Sequence, residues 1–206
     1  MYELDNYCEK LLIKHNPRKY NNSISSDISS LIKKEFGFEI RYIKEEPENC
    51  ICGYTVYSDK PDCPGTVFIN SNIKNHEIIN FTLAHECGHI IMRKVFSSGS
   101  YPLIYGSYKK LERDLEAASN QLASALIMPK NKFIKEYVKL FGLRKLQLYE
   151  HRICYQSDRD KIFALKNSFE CSETALLIRM SYLNLTENLS LSEFNLMKGF
   201  SYHIGI

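Results

Sequence analysis

Residues 81–92 read FTLAHECGHIIM and residues 116–129 read EAASNQLASALIMP, and these two stretches decide how the chain is read. The first is a helix, because Phe81, Leu83, Ala84, Ile90 and Ile91 recur at helical rather than alternating spacing. Within it stand His85, Glu86 and His89, the pattern HExxH. Residues four apart on a helix differ by about 40° in azimuth and one turn in height, so both imidazoles can reach a single ion. Glu86 is rotated by about 100° from His85, which sets its carboxylate beside that ion, where a general base acting on water belongs. The apolar flank lets the helix back onto a sheet while the histidines line a cleft.

A catalytic zinc takes three protein donors and keeps one position open, so a third donor is needed. The second stretch belongs to a helix expected over residues 110–127 and stopped by Pro129. That helix offers Glu112, Asp114 and Glu116. Glu116 lies close to the apolar stripe Leu111, Leu115, Ala118, Leu122 and Ala125, and a carboxylate facing inward there is costly unless paired or bound to metal. Glu116 is therefore the expected third ligand. Asn120, one turn further on, is spaced to hydrogen-bond a ligand imidazole and fix its tautomer. Cys87, about 200° from His85, should face away from the ion.

Outward from these helices, the N-terminal third reads as helices over 3–15, broken by Pro17, and over 24–36, ending at Gly37. From Phe38 the period changes: FEIRYIK, CICGYTVYS and GTVFIN are β-branched and aromatic runs, which predicts a small antiparallel sheet of about three strands. The edge made by GTVFINS, just before the HExxH helix, is the expected place for an extended peptide to add as a further strand. Helices are expected over 76–94, 130–141, 161–169 and 172–182, with a loop over 97–109. The whole predicts an α+β protein whose sheet packs on the helical core, with residues 1–129 as the metal-bearing domain and 130–206 as a helical extension.

The chain has 206 residues, 44% of them hydrophobic and 25% charged, which excludes disorder as the main state. Its net charge of +3 is too mild to argue for nucleic acid, and no run nears the ~20 apolar residues of a membrane span. Seven cysteines are an odd number without framework spacing, and MYELDNYCEK lacks the basic and apolar regions of a secretory signal. A cytoplasmic protein with reduced thiols is expected. Cys50, Cys52 and Cys63 lack a fourth donor for a second zinc and read as buried strand cysteines. His76 and His151 read as surface residues. Tyr101, Tyr105, Tyr108, His151 and Tyr155 all stand open as donors to an oxyanion.

With these residues in view, the chain resembles the ImmA/IrrE family of zinc metallopeptidases. That family's pattern is an HExxH helix followed by a helix reading ExxAN and ending in LLMP. The resemblance implies zinc on His85, His89 and Glu116, Glu86 as the catalytic acid–base, and a zincin-type core of the gluzincin kind; Met128 and Pro129 match the terminal Met-Pro. Ser119 stands where the family has Ala, Leu122 where it usually has Phe, and the basic residue often found before FTLAH is missing. LKNSFECSETALLIRMSYLNL, residues 165–185, resembles a further family segment through Phe169, Cys171, Ser172, Ala175, Arg179, Met180 and Leu183. It also looks like half of a helix-turn-helix, placed at about 162–185, with Ser172 as N-cap of the second helix.

The implied function is a zinc-dependent endopeptidase that cuts a helix-turn-helix transcriptional repressor and so relieves repression. The alternative is a zinc-bound protein that captures the repressor without cleaving it. Residues 130–166 hold ten Lys/Arg against four Asp/Glu, so a nucleic-acid surface is conceivable. A solvated basic face completing the cleft or docking a protein is the stronger expectation, because no aromatic or Arg cluster at reading spacing accompanies the charge.

Overall fold

Pro17 does not simply end the N-terminal helix; it opens another. In the computed structural model, which describes residues 2–22, 27–44, 51–60, 63–97, 108–150, 152–153 and 155–188, α1 (Tyr2–His15) is followed at once by α2 (Pro17–Asn22). The fixed φ of proline suits a first helical position, where the missing N–H would have no partner anyway. α3 (Ile28–Glu35) starts at Asp27, whose carboxylate accepts from Ser30 N at 3.0 Å, and ends before Gly37 at φ +76°. Residues 24–26, expected in the same helix, lie outside the described residues.

The strands β1 (Glu39–Ile43), β2 (Gly53–Lys60) and β3 (Cys63–Asn70) form one sheet in the order β1-β3-β2. β2 and β3 are antiparallel, with Tyr54 opposite Phe68 and their rings stacked at 5.0 Å. β1 runs parallel to β3, from Glu39 opposite Thr66 to Ile43 opposite Asn70. The sheet is therefore mixed, not antiparallel as expected. The reason lies in burial: β3 turns Gly65, Val67 and Ile69 into the core and takes the centre, which leaves β1 to pair on its far side. It follows that GTVFINS is not an edge. β2 is the strand beside the HExxH helix with one side unpaired among the described residues.

α4 (His76–Ser97) and α5 (Tyr108–Ile127) pack closely on each other, and α4 also meets β2 and β3. α6 (Lys130–Phe141) begins just after Pro129 and stops at Gly142, φ +64°. Glu9 of α1 supports that start, accepting from Asn131 N at 2.7 Å and Asn131 Nδ2 at 2.6 Å. A second sheet follows that the periodicity did not reveal: β4 (Leu146–Tyr149), β5 (Arg152–Ile153) and β6 (Thr186–Asn188), in the order β5-β4-β6. Runs this short carry too few alternations to register as strands.

α7 (Gln156–Phe169) starts five residues earlier than its apolar spacing suggests. Its opening is polar because Asp158, 1% exposed, lies in the first turn and is held by both terminal nitrogens of Arg144 at 2.6 and 3.0 Å. α8 (Glu173–Tyr182) follows a short turn in which Glu170 takes a left-handed conformation. Ser172 caps α8, accepting from Ala175 N at 3.2 Å. The buried apolar cluster runs without a break from Leu11 and Leu31 through Val67, Ile91 and Leu126 to Phe133, Phe169 and Met180, across the boundary expected at 129/130. Arg179 also crosses it: its Nε donates to Met128 O at 3.1 Å, and its Nη2 lies 2.6 Å from Asp5 Oδ1 with both side chains buried, close in distance though not aligned as a hydrogen bond.

Candidate metal centre

Gly88 makes the site. A β-carbon there would stand 2.7 Å from Ser119 O and 3.0 Å from Ser119 Cα, so only glycine lets the backbone of α5 lie directly on α4. That approach delivers one turn of α5 to the histidines. Glu116 Oε2 lies 3.3 Å from His85 Nε2, Glu116 Oε1 lies 3.2 Å from His89 Nε2, and the two Nε2 atoms are 3.0 Å apart.

The two imidazoles meet different oxygens of Glu116, and one donor atom from each of the three residues lies within 4.8 Å of the others. Three donors held about 2.0–2.1 Å from a tetrahedral ion are separated by roughly 3.3 Å, so this group could hold such an ion and leave its fourth corner open. The far sides of the rings agree. His85 Nδ1 is 2.9 Å from Asn120 Oδ1, and His89 Nδ1 is 3.1 Å from Ser119 Oγ. An amide oxygen can only accept, so His85 carries its proton on Nδ1 and presents a lone pair from Nε2. Among the described residues, His85, His89 and Glu116 are the one group of three that could hold a metal ion.

Glu86 lines the same cleft as these donors, 6% exposed, and its Oε2 accepts from Thr55 Oγ1 at 2.7 Å. Thr55 belongs to β2, so the edge strand and the HExxH helix are tied at the carboxylate. Thr55, Tyr57, His85, Glu86, His89 and Glu116 line a common cleft of about 420 Å³.

The structure brings His85, Glu86, His89 and Glu116 to one cleft and sets Asn120 against His85 Nδ1, though not always for the expected reason. Glu116 does not face the core: its side chain is 52% exposed and opens to the cleft. The buried face of α5 is turned toward Ser119, Leu122, Ala123 and Leu126, because the contact with Gly88 sets the rotation of the helix. Asn120 is likewise exposed. Cys87 faces away as its azimuth requires, fully buried beside Cys8, and burial pushes both thiols up, that of Cys8 to about 12. Cys52 corrects an expectation, since it precedes β2 and is exposed; Cys63 is half-buried. Cys50, Tyr101, Tyr105 and His151 lie outside the described residues, as does the side chain of Tyr108. Tyr155 stands at the N-cap position of α7 without a side-chain capping bond, and His76 is exposed at the start of α4.

Two residues escaped the sequence reading. Ser119 had a signal, being the departure from Ala in ExxAN, but its partner is visible only once α5 crosses α4. Thr55 had none, because a threonine in a strand is ordinary and its contact spans 31 positions.

Fold and donor set together define a mixed α+β protein with a His–His–Glu group on two adjoining helices. The chain belongs to the peptidase M78 family: the model for the IrrE N-terminal-like domain matches residues 36–181, in agreement with the ImmA/IrrE resemblance. Among solved structures, a Mycobacterium tuberculosis transcriptional regulator shares the fold with a TM-score of 0.61 at 15% identity. That match covers 88% of this chain and 47% of the regulator, so this chain spans about half of it. No curated protein matches the sequence. Among the described residues, no helix is long and apolar enough to cross a membrane.

Proposed function

We propose that the chain is a cytoplasmic zinc-dependent endopeptidase acting on a specific protein, with His85, His89 and Glu116 as metal ligands, Glu86 as general base and acid, and Asn120 orienting His85. The single observation that carries this reading is the His85–His89–Glu116 donor group with the buried carboxylate of Glu86 beside it. When bound, zinc supplies Lewis acidity, polarising the scissile carbonyl and bringing the pKa of water down toward ~7. Glu86 takes the proton from the attacking water and passes it to the leaving amine. Thr55 occupies one carboxylate oxygen and so holds the side chain in one orientation, leaving the other oxygen for the transfer. Asn120 keeps the ring of His85 in the tautomer that offers Nε2.

The unpaired side of β2 runs along this cleft, and an extended substrate segment adds there as a strand, in place of the β3 edge expected from sequence. A helix-turn-helix repressor as the substrate is supported by the family resemblance. Nucleic acid is the weaker partner because at least five of the ten basic side chains of residues 130–166 have partners within the chain. Arg144 holds Asp158, Lys139 pairs with Glu136, Lys166 with Glu77, Lys145 donates to Asn184, and Lys132 lies over the ring of Tyr20.

Metal analysis of the purified chain tests the reading: close to one zinc per chain is expected, and its loss in His89→Ala. Glu86→Gln should keep the zinc and lose turnover. A Glu86→Gln variant that still relieved repression at the wild-type rate would show that capture, not cleavage, is the activity.

A further inference from the structure

The cleft does not end at the donors. On the N-terminal side of His85, a second hollow of about 360 Å³ opens between the start of β2, the first half of α4 and the α7–α8 turn. Its walls are mostly carbon, supplied by Ile78 and Phe81, and Gly53 keeps its inner end clear. A β-carbon at Gly53 would meet Thr82 Cγ2 and Phe68 O, each at 2.7 Å, so any side chain would wedge β2 off α4 at this point. His85 and Glu86 line this hollow as well as the cleft at the donors, which makes the two continuous.

The far wall is Ser172, from the segment that sequence assigned to a separate extension. Two links hold that wall against α4: Lys166 Nζ meets Glu77 Oε1 at 2.7 Å, and Asn80 Nδ2 donates to Glu170 O at 3.4 Å. The first link has a second effect. Glu77 lines the hollow, and pairing with Lys166 offsets its charge, so the carboxylate left on the lining is Glu86, where the hollow joins the cleft. An acidic side chain entering it would lose hydration and meet Glu86 at the mouth, whereas an aliphatic or aromatic one would gain by leaving water against Ile78 and Phe81.

We infer that this hollow is a specificity pocket that seats one large apolar side chain of the protein substrate beside the scissile bond, and that the α7–α8 turn is the wall that selects it. The inference rests on the metal-centre reading above. It gives the C-terminal helices a task at the active site in place of one on nucleic acid.

Two hydroxamates that chelate zinc test it by calorimetry on the zinc-loaded full chain, one with an isobutyl group beside the chelating head and one without. The isobutyl compound should bind at least tenfold tighter, within the roughly 200-fold that full burial of four carbons would give. Ile78→Glu, at a position 43% exposed and so tolerant of charge, should abolish that gain while leaving the plain compound's affinity unchanged. Lys166→Ala, which frees the turn, should shrink the gain. Equal affinity of the two compounds for the wild-type chain, or a gain that survives Ile78→Glu, overturns the pocket. Failure of even the plain compound to bind the zinc-loaded chain strikes the metal-centre reading, and the pocket falls with it.

Discussion

Replacing Gly88 by alanine tests the central geometric claim, that one missing β-carbon sets the spacing of the two ligand-bearing helices. The added atom would sit 2.7 Å from Ser119 O, against 3.4–4 Å for ordinary contact, so α4 and α5 must part locally by roughly 0.7 Å or more. Neither obstacle can swing aside, since both are backbone atoms. Overpacking of this kind costs about 1–3 kcal/mol, and the better helix propensity of alanine returns up to ~1 kcal/mol. Net destabilisation should therefore be small, about 0–2 kcal/mol, or a fall in Tm of several degrees at most for a chain of this size. The effect on metal should be larger. Glu116 and Ser119 ride on α5, so the 3.2–3.3 Å contacts to the imidazoles and the 3.1 Å contact to His89 all lengthen together. Disturbing the groups that orient ligands typically costs ~10–100-fold in affinity, and here a ligand moves as well. Zinc affinity, read by competition with a chromophoric chelator, should fall at least that far. Ser119→Ala is the control, since it deletes one hydrogen bond without moving backbone and should cost about tenfold or less. A Gly88→Ala protein with wild-type zinc affinity and wild-type Tm would refute the claim that this contact builds the site.

Thr55→Val keeps the shape of the side chain but removes its hydrogen bond to Glu86, so turnover should fall about tenfold or more while zinc content stays at the wild-type level; unaltered turnover would remove Thr55 from the machinery. Asp5→Asn leaves the buried guanidinium of Arg179 without its counter-charge and should destabilise the chain by about 3–5 kcal/mol, read as a large drop in Tm, with little change for an exposed control such as Arg41→Gln. Among the described cysteines, thiol alkylation near pH 8 should mark Cys52 first and spare Cys8, Cys87 and Cys171 until the protein is unfolded. Burial both hides those three sulfurs and raises their pKa, to about 12 for Cys8 and Cys171, so the reactive thiolate is scarce at that pH. Peptide mapping by mass spectrometry reads the order directly, and early labelling of Cys87 would contradict the packing described.

What the sequence determined by itself is local and periodic. His85, Glu86 and His89 share a face because a helix repeats every 3.6 residues, and Ser172 caps α8 because a hydroxyl meets the free N–H groups of a first turn. Such relations span a few residues and need no knowledge of the rest of the chain. What the tertiary structure decided is everything set by contacts between distant segments. Glu116 was legible as a candidate, but its exposure to the cleft depends on how α5 is rotated, and a steric contact with Gly88 sets that rotation. The direction of β1 and the central place of β3 depend on which strand can bury both flanks, which no single strand's pattern records. Thr55 and Ser119 reach Glu86 and His89 across 31 and 30 positions of sequence. Hydroxyl groups of this kind are chemically ordinary until packing removes them from water, and only the folded chain specifies which of them are brought to the candidate metal centre.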